Sequence, residues 1–251
     1  MNIPVVILHG WGASAKSYDK LKPLLEEQKG ISVFVFDLPG FGSEPAPKDA
    51  WSVDDYVEWV SKWLEKNVKI HPSPPLQKEG VVLFGHSFGG RIVIKLAAKY
   101  PDKLAGLILC DAAGITPRPK TKITIFGLLS KTGKIVFSLP ILKYFQPIVR
   151  KIEYFLAGSR DYYYLQEPIM KETFKKIIEE DLTPYLEKIN VPTLIIWGKK
   201  DKMTPISDAR TMHNKIKNSE LEILEGIGHS PHLECPKKLS DIIVKFISSN
   251  F

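Results

Sequence analysis

The sequence predicts an α/β protein with a mostly parallel, doubly wound sheet of about six strands. Its short apolar runs are continuous rather than alternating in polarity, which is typical of strands that are buried on both faces. Longer amphipathic stretches alternate with these runs, and strand–helix alternation implies right-handed crossovers with helices on both faces of the sheet. A chain of 251 residues is long enough for one such domain and a modest insertion.

The predicted elements follow one another along the chain. The strands are expected at residues 3–8, 31–36, 81–84, 104–109, 192–197 and 221–224. The helices are expected at residues 17–28, 52–67, 88–100, 206–217 and 236–249. Ser52, followed three residues later by Asp55, is typical of a helix N-cap with an acidic residue in the first turn.

The interval 115–189 breaks this alternation. It contains no strand-like run, it is rich in aromatic residues, and its prolines divide it into short helical pieces. We therefore expect residues 1–114 and 190–251 to form the core and residues 115–189 to form an inserted helical cap. The residues expected to contact an apolar substrate lie in this cap and in one core loop: Phe126, Phe137, Phe145 and Met203.

The composition is that of an ordinary globular protein. Hydrophobic residues make up 44% and charged residues 25% of the chain, and no apolar run is long enough to span a bilayer. The N-terminus has no signal-peptide layout. The two cysteines, Cys110 and Cys235, give no disulfide framework, so we expect reduced thiols and a cytoplasmic location.

The basic residues are unevenly distributed. The net charge is +7, and residues 115–151 hold eight basic residues and no acidic ones, which leaves −1 for the rest of the chain. A solvated lysine-rich face is the simpler interpretation. The alternative is a surface that attracts an acidic carrier protein, a charged substrate or an anionic membrane surface. The chain has no nucleic-acid recognition motif, so a nucleic-acid partner is not expected.

Ser87 has the sequence surroundings of a nucleophile. It lies in GHSFGG at residues 85–90, directly after the apolar run that ends at Phe84 and before a helical stretch. A sharp strand–turn–helix connection of this kind strains the serine backbone and lifts its hydroxyl out of the sheet. The residues two before and two after the serine are both glycine, because strand and helix nearly touch there.

A base and an acid that suit this serine follow later strands. A serine hydroxyl needs a base to take its proton, and a histidine base needs a carboxylate on its other ring nitrogen. In sheets with such an elbow the chain order is serine, acid, histidine. Asp201 follows the strand at 192–197, and His229 follows the strand at 221–224. Asp111, which follows the strand after that of the serine, is the alternative acid.

A glycine-rich turn after the first strand is the candidate oxyanion site. HGWG at residues 9–12 can direct the backbone N–H of Trp11 into the site, and Phe88, the residue after the serine, would supply the second donor. No cluster of His, Cys, Asp or Glu has the spacing of metal ligands, and the chain has no glycine-rich phosphate loop. We therefore expect neither a metal nor a cofactor.

Five motifs in this order resemble the α/β-hydrolase superfamily. They are HGWG at 9–12, DLPGFG at 37–42, GHSFGG at 85–90, the loop of Asp201 and the Gly-His pair at 228–229. The resemblance implies the α/β-hydrolase fold and a serine hydrolase of the carboxylesterase type, with Ser87, Asp201 and His229 as its triad. The first two motifs are similar to those of carboxylesterases that demethylate pimeloyl groups on acyl carrier protein, which implies an ester substrate and an acidic carrier.

Other branches of the superfamily fit less well, and several reactions stay open. Meta-cleavage carbon–carbon hydrolases often have tryptophan after the catalytic histidine, where this chain has Ser230. Proline iminopeptidases usually have tryptophan after the nucleophile, where this chain has Phe88. The expected reaction is hydrolysis of small or medium acyl or aryl esters. Lactone, thioester and carbon–carbon bond hydrolysis with the same triad remain alternatives, as does a ligand receptor with little turnover.

Overall fold

The computed structural model describes residues 2–68, 80–115 and 167–251, which form one sheet of six parallel strands. In the spatial order β2-β1-β3-β4-β5-β6, the strands are β1 (Ile3–Leu8), β2 (Ile31–Val35), β3 (Val81–His86), β4 (Leu104–Cys110), β5 (Thr193–Gly198) and β6 (Ser219–Leu224). The described helices are α1 (Leu21–Glu26), α2 (Val53–Asn67), α3 (Phe88–Lys99), α4 (Pro168–Glu179), α5 (Thr183–Leu186), α6 (Ile206–Lys215), α7 (Pro231–Glu234) and α8 (Pro236–Asn250). The predicted fold class is confirmed.

The first helical stretch differs from the prediction. Instead of one helix over 17–28, a 3₁₀ turn spans Ala15–Tyr18, and α1 begins two residues before Pro23. Proline has no N–H group and is accommodated only in the first turn of a helix, so α1 begins just ahead of it. Strands β3 and β4 extend beyond their predicted ends, because His86 and Cys110 still pair in the ladder.

Helices on the two faces of the sheet cover separate hydrophobic cores. On one face, Val57 of α2 is buried in the same cluster as Leu83 of β3. On the other face, Phe246 of α8 is buried in the same cluster as Phe84. Neighbouring residues of β3 thus point into different cores, and burial of both faces explains the continuous apolar sequence of this strand. Among the described residues, no helix has the length and apolar character that crossing a bilayer requires.

The strand order fixes where a site can form. β1 leads to β2 on one side of the sheet, whereas β3 leads to β4, β5 and β6 on the other side. In open α/β sheets, ligands bind in the crevice that such a reversal opens at the carboxyl ends of the strands. The loops after β1, β3, β5 and β6 carry the candidate residues of the sequence analysis, and all four begin at this edge.

Several contacts attach the described part of the expected cap to the core, and two of them are backbone N–H hydrogen bonds. The Trp51 N–H, ahead of α2, donates to Thr173 Oγ1 of α4 at 3.0 Å. The Leu182 N–H donates to the Gly114 carbonyl at 2.9 Å, so Leu182 lies beside the residue that precedes the expected cap. Several predicted features lie outside the described residues: the substrate contacts Phe126, Phe137 and Phe145, and the basic residues of the stretch 118–151.

Ser52→Ala should destabilise the protein, because α2 begins with the capping box that the sequence predicts. The Ser52 N–H donates to Asp55 Oδ2 at 2.7 Å, and the Asp55 N–H donates to Ser52 Oγ at 3.4 Å. Alanine removes the acceptor of a helix-terminal N–H, so we expect the free energy of unfolding to fall by about 1 kcal/mol in urea denaturation. Ser249→Ala, at an exposed position of α8, is the control. Equal urea midpoints for Ser52→Ala and the wild type would contradict the prediction.

Candidate active site

Ser87 occupies a strained turn between β3 and α3. Its backbone has φ 51° and ψ −113°, a combination that residues other than glycine rarely adopt. The Ser87 carbonyl accepts hydrogen bonds from the N–H groups of Gly90 at 3.0 Å and Ala113 at 2.9 Å. The Ser87 N–H donates to the Cys110 carbonyl at 3.3 Å. These hydrogen bonds hold the strained residue in place.

Two glycines allow strand and helix to approach each other at this turn. A Cβ atom on Gly89 would collide with the Leu8 carbonyl oxygen, and one on Gly85 would collide with the Val93 side chain. The backbones of β1, β3 and α3 are therefore in close contact beside Ser87. This is the strand–turn–helix geometry that the GHSFGG sequence predicts.

His229 links Ser87 and Asp201 through its two ring nitrogens. Its Nε2 lies 3.0 Å from Ser87 Oγ, and its Nδ1 lies 2.7 Å from Asp201 Oδ2. Because an ionised carboxylate can only accept, Nδ1 carries the proton of the neutral ring, and Nε2 can accept the proton of the serine hydroxyl. The Asp201 side chain is fully buried, and that of His229 is 15% exposed. The structure thus brings together the three residues that the sequence singles out.

Hydrogen bonds hold the carboxylate of Asp201 in its ionised form. Besides His229, it accepts from the N–H of Met203 at 2.7 Å and from the N–H and hydroxyl of Thr204 at 3.1 and 2.5 Å. Burial by itself would raise the pKa of Asp201, but the interaction with His229 and the other hydrogen bonds outweigh burial and lower the pKa to about 2. Asp201 is therefore negatively charged at neutral pH, the state that orients a histidine and stabilises its protonated form.

Asp111, the alternative acid, contacts Asp201 and is protonated at neutral pH. Its side chain is fully buried, its φ is 43°, and its Oδ1 accepts the Gly198 N–H at 2.9 Å. Burial, together with the hydrogen bond and charge of Asp201, raises the pKa of Asp111 to about 9. The neutral carboxyl donates to Asp201. Among the described residues, no hydrogen bond joins Asp111 to His229, which is paired with Asp201 instead.

The loop after β1 lies beside the serine and is held by the buried His9. His9 Nδ1–H donates to the Gly10 carbonyl at 2.8 Å, and Nε2 accepts the Leu38 N–H at 3.0 Å. Burial lowers the pKa of His9, so the ring stays neutral and makes both bonds. A Cβ on Gly10 would lie 3.3 Å from Ser87 Cβ, which shows how closely this loop approaches the serine.

The two expected oxyanion donors belong to the segments that flank the serine. Trp11 follows Gly10 in the loop after β1, and Phe88 is the first residue of α3. The first N–H groups of a helix have no carbonyl partner within it, so the Phe88 N–H is available to a ligand. Backbone N–H groups at these positions can bind an oxygen that gains negative charge when Ser87 attacks a carbonyl.

The Trp11 side chain lies at the centre of an aromatic cluster. Its ring centroid is 4.8 Å from that of Phe41, 5.2 Å from that of Phe88 and 4.9 Å from that of Phe174 in α4. The cluster connects the loop beside Ser87 to the predicted cap. Two of its members, Phe41 and Phe174, are not predicted from the sequence. Phe41 lies in the DLPGFG motif, which could have revealed it, whereas Phe174 is marked only by the amphipathic pattern of α4.

Of the residues expected to contact a substrate, only Met203 is described. It lies two residues after Asp201, its side chain is 39% exposed, and its backbone N–H is one of the donors to Asp201. Its contact with a substrate stays a prediction.

Asp37 holds the DLPGFG loop in shape. Its carboxylate accepts the Ala15 N–H at 2.7 Å and the N–H and hydroxyl of Ser43 at 2.8 and 2.9 Å. Burial would raise the pKa of Asp37, but these hydrogen bonds lower it. Gly42 has φ 56°, and a Cβ there would collide with the Asp37 carboxylate. The motif thus fixes a loop that holds Phe41 against the loop after β1.

Asp111, Asp201 and His229 also have the side chains of metal ligands. Their donor atoms lie within 4.8 Å of one another. Asp201 already accepts several hydrogen bonds, His229 Nδ1 faces Asp201, and Asp111 is neutral, so a cation would have to displace these bonds and a proton. These side chains fit a chain of hydrogen bonds from Asp111 through Asp201 and His229 to the Ser87 hydroxyl better than they fit a metal centre.

Comparison with known proteins gives a family match over most of the chain. The family described as "Serine aminopeptidase, S33" matches residues 3–236. A proline iminopeptidase of Saccharolobus solfataricus is 30% identical over 98% of this chain and 85% of its own length. The uncharacterized hydrolase YugF of Bacillus subtilis is 30% identical over 97% of this chain and 89% of its own. Monoacylglycerol lipase ABHD6 of Bos taurus is 27% identical over 98% of this chain and 75% of its own.

Solved structures are similar over nearly the whole chain. An esterase from Exiguobacterium antarcticum has a TM-score of 0.73 and 27% identity, covering 98% of this chain and 92% of that one. A bacterial membrane phospholipase A has a TM-score of 0.71 at 23% identity, covering 99% of this chain and 79% of that one, which supports the fold alone. These proteins support the expected superfamily, and the resemblance to pimeloyl carrier-protein esterases stays a prediction.

Asp111→Asn should change how stability depends on pH. An aspartate in the unfolded chain ionises near pH 4, whereas the pKa of about 9 keeps Asp111 protonated in the folded protein. Between these values the folded state binds one more proton than the unfolded state, so this group lowers the stability of the wild type as pH rises. Asparagine does not ionise, so the stability of the variant relative to the wild type should increase from about pH 5 to about pH 8.

Urea midpoints across this pH range measure the effect. Asp49→Asn, at an exposed loop position, is the control and should give a curve parallel to that of the wild type. A parallel curve for Asp111→Asn as well would contradict the protonated state of Asp111.

Proposed function

The chain belongs to the serine aminopeptidase S33 family of α/β-hydrolases, and from this premise we propose that it is a carboxylesterase-type serine hydrolase. The proposed triad is Ser87 as nucleophile, His229 as base and Asp201 as the acid that orients it. Among its relatives, one is named an esterase and another a monoacylglycerol lipase, and these names favour an ester substrate. The reaction needs no cofactor.

The observation that carries this proposal is the pair of hydrogen bonds made by His229. One nitrogen lies 3.0 Å from the serine hydroxyl and the other lies 2.7 Å from an ionised, buried carboxylate. A hydroxyl bonded to an unprotonated nitrogen can lose its proton while it attacks a carbonyl. The positive charge that then forms on the ring is stabilised by Asp201.

In the first half of the proposed reaction, Ser87 Oγ attacks the ester carbonyl and its proton passes to His229 Nε2. The carbonyl oxygen becomes an oxyanion, which accepts hydrogen bonds from the backbone N–H groups of Trp11 and Phe88. Each such donor lowers the barrier by roughly 3 kcal/mol in comparable sites. Collapse of this intermediate breaks the ester bond, and His229 gives its proton to the departing alcohol.

In the second half, His229 takes a proton from water, and the hydroxide attacks the acyl-serine. The same two N–H groups bind the second oxyanion. The proton returns from Nε2 to Ser87 Oγ as the carboxylic acid leaves, so the enzyme recovers its starting state.

The proposed domain division is a core of residues 1–114 and 190–251 with a cap of residues 115–189. The hydrogen bond between Leu182 and Gly114 supports it, because it places the last part of the cap beside the end of the first core segment. The aromatic cluster around Trp11 includes Phe174 of the cap. An apolar cluster beside the site favours substrates with apolar acyl or aryl groups. The roles of Phe126, Phe137, Phe145 and Met203 in binding such groups remain part of the proposal.

The proposed partner is a small-molecule ester. An acidic carrier protein or an anionic surface at the basic stretch, and a cytoplasmic location, remain expectations from the sequence. Lactones, thioesters and carbon–carbon bonds can be cleaved with the same residues, so they remain alternatives.

Amide hydrolysis is a second candidate function. The family is described as a serine aminopeptidase, and one relative at 30% identity is a proline iminopeptidase. Phe88 after the nucleophile weighs against this candidate, because tryptophan is usual there in proline iminopeptidases. The two candidates predict different substrate preferences, so a direct comparison separates them.

Wild-type protein should hydrolyse p-nitrophenyl esters between acetate and decanoate, and Ser87→Ala should not. Loss of the nucleophile lowers kcat by on the order of 10⁵-fold or more in serine hydrolases. Initial rates give both results, with Ser249→Ala as the control. The chain length with the highest kcat/KM measures the size of the acyl pocket.

Two outcomes would contradict the ester proposal. Faster turnover of proline p-nitroanilide than of any ester would favour the peptidase candidate. No turnover of any ester by wild-type protein that still reacts covalently with a fluorophosphonate would leave a competent nucleophile and favour lactones, thioesters or the receptor alternative.

Asp201→Asn should lower kcat/KM by on the order of 10⁴-fold, because an amide cannot hold the productive tautomer of His229. Asp111→Asn should lower kcat/KM by about fivefold at most, because its hydrogen bond to Asp201 is weakened rather than lost. The asparagine can still accept from Gly198 and donate to Asp201. Steady-state kinetics measure which of the two variants loses more kcat/KM. A larger loss in Asp111→Asn than in Asp201→Asn would identify Asp111 as the triad acid.

A further inference from the structure

A single carboxylate holds the main chain on both sides of His229. Glu234 Oε2 accepts the N–H of Gly228 at 2.9 Å, and Glu234 Oε1 accepts the N–H of Ser230 at 3.1 Å. Charge-assisted hydrogen bonds of this kind are stronger than neutral ones. Glu234 thus holds the N–H groups of the two residues on either side of His229.

The carbonyl of His229 is held by a different residue. His86 Nε2 lies 2.7 Å from this oxygen. A carbonyl can only accept, so the proton of the neutral His86 ring is on Nε2. His86 is the last residue of β3 and directly precedes Ser87, so this hydrogen bond connects the turn of the nucleophile to the loop of the histidine.

His86 does not have the surroundings expected of a residue selected for stability alone. Its ring is buried, and its Nδ1 has no hydrogen-bond partner among the described residues. An unpaired polar atom in the interior is unfavourable, and an apolar side chain of similar size would avoid it. What the histidine supplies, and an apolar residue could not, is the Nε2–H donor to His229.

The ring of His86 is held in turn by α7. It packs against His232 with 4.6 Å between centroids, and His232 stacks on Tyr18 at 4.6 Å. Burial, with the nearby His232 and His229, holds the pKa of His86 well below its usual value, so the ring stays neutral. The same short helix carries Glu234, so α7 supports both attachments of the His229 main chain.

These attachments matter for two reasons. The loop around His229 contains two glycines, which allow its backbone many conformations. In addition, the contacts of the His229 ring change during the reaction. Gly226 has φ 80°, and Gly228 directly precedes the histidine. In the proposed acyl-enzyme, Ser87 Oγ is bonded to the acyl group and no longer donates to Nε2. The bonds to Glu234 and His86 are independent of the chemistry and persist throughout it. A misplacement of a reacting group by about 1 Å lowers rates by on the order of 10²-fold.

We propose that Glu234 and His86 are positioning residues that hold the main chain of His229, so that its ring stays between Ser87 and Asp201 through both halves of the reaction. This inference rests on the proposed function, because the reaction being supported is that of His229 as a base.

Variants of Glu234 test the first attachment. Glu234→Ala removes both acceptors, and we expect kcat to fall by on the order of 10- to 100-fold with KM within about twofold. Glu234→Gln keeps one acceptor and should lose less. Glu225→Gln is the control, because Glu225 lies in the same loop, is exposed and pairs with Lys199 at 2.8 Å instead. Hydrogen exchange should speed up at both the Gly228 and the Ser230 amide in Glu234→Ala, at one of them in Glu234→Gln and at neither in Glu225→Gln.

Variants of His86 test the second attachment and separate positioning from stability. His86→Leu removes both the donor and the unpaired nitrogen, so we expect kcat to fall on the order of tenfold or more. The melting temperature should change little, because removal of the unpaired nitrogen offsets loss of the donor to the His229 carbonyl. His86→Gln restores an N–H donor and should recover part of the lost kcat. A lower melting temperature with unchanged kcat in His86→Leu would overturn the positioning role of His86.

The rate at which a fluorophosphonate labels Ser87 makes this test independent of the substrate. Labelling requires His229 as a base but no particular ester. Slower labelling of Glu234→Ala and His86→Leu than of the wild type supports the inference, even if the wild type hydrolyses none of the esters tested and the proposed function fails. Equal labelling rates and equal kcat in all folded variants would overturn the inference alone.

Discussion

The one-residue turn at Ser87 is the constraint on which the rest of the site depends. β3 ends at His86 and α3 begins at Phe88, so Ser87 alone makes the turn between them. Its backbone is strained as a result. Glycine is then required at 85 and 89, where any side chain would meet a neighbouring strand or helix. β4 completes the arrangement, because it lies beside β3 and the Cys110 carbonyl accepts the Ser87 N–H. The position of one hydroxyl is therefore set by the register of the central strands, whose side chains are buried on both faces.

The site combines one ionised carboxylate with several buried groups that stay neutral. Asp201 and Asp111 are adjacent carboxyls, and two like charges in a buried place are unfavourable, so one is ionised and the other keeps its proton. Burial also lowers the pKa values of His9, His86 and His232, so these rings act as neutral hydrogen-bonding or packing groups. The negative charge beside His229 is thereby concentrated on Asp201, whose carboxylate contacts its ring.

The sequence predicts those parts of the fold and site that depend on local pattern. Continuous apolar runs predict the strands, and position after a strand predicts that Ser87, Asp201 and His229 meet at one edge of the sheet. The helix predicted at 17–28 is present only over Leu21–Glu26, because the prediction gave no weight to Pro23. Supporting contacts depend on the folded chain: His86 bonds the main chain of a residue 143 positions away, and Phe174 meets Trp11 from another segment. The protonation of Asp111 depends on burial, which no local pattern encodes.

The hydrogen bond between Leu182 and Gly114 has a consequence for how proteins of this kind diversify. Because the two ends of the intervening segment meet, its length and sequence can change without moving either β4 or β5. Insertions whose ends are close together are well tolerated, and the entropy of closing a loop grows only slowly with its length. The segment can therefore vary as a unit between related chains, while the hydrogen bonds of Ser87, His229 and Asp201 are inherited unchanged.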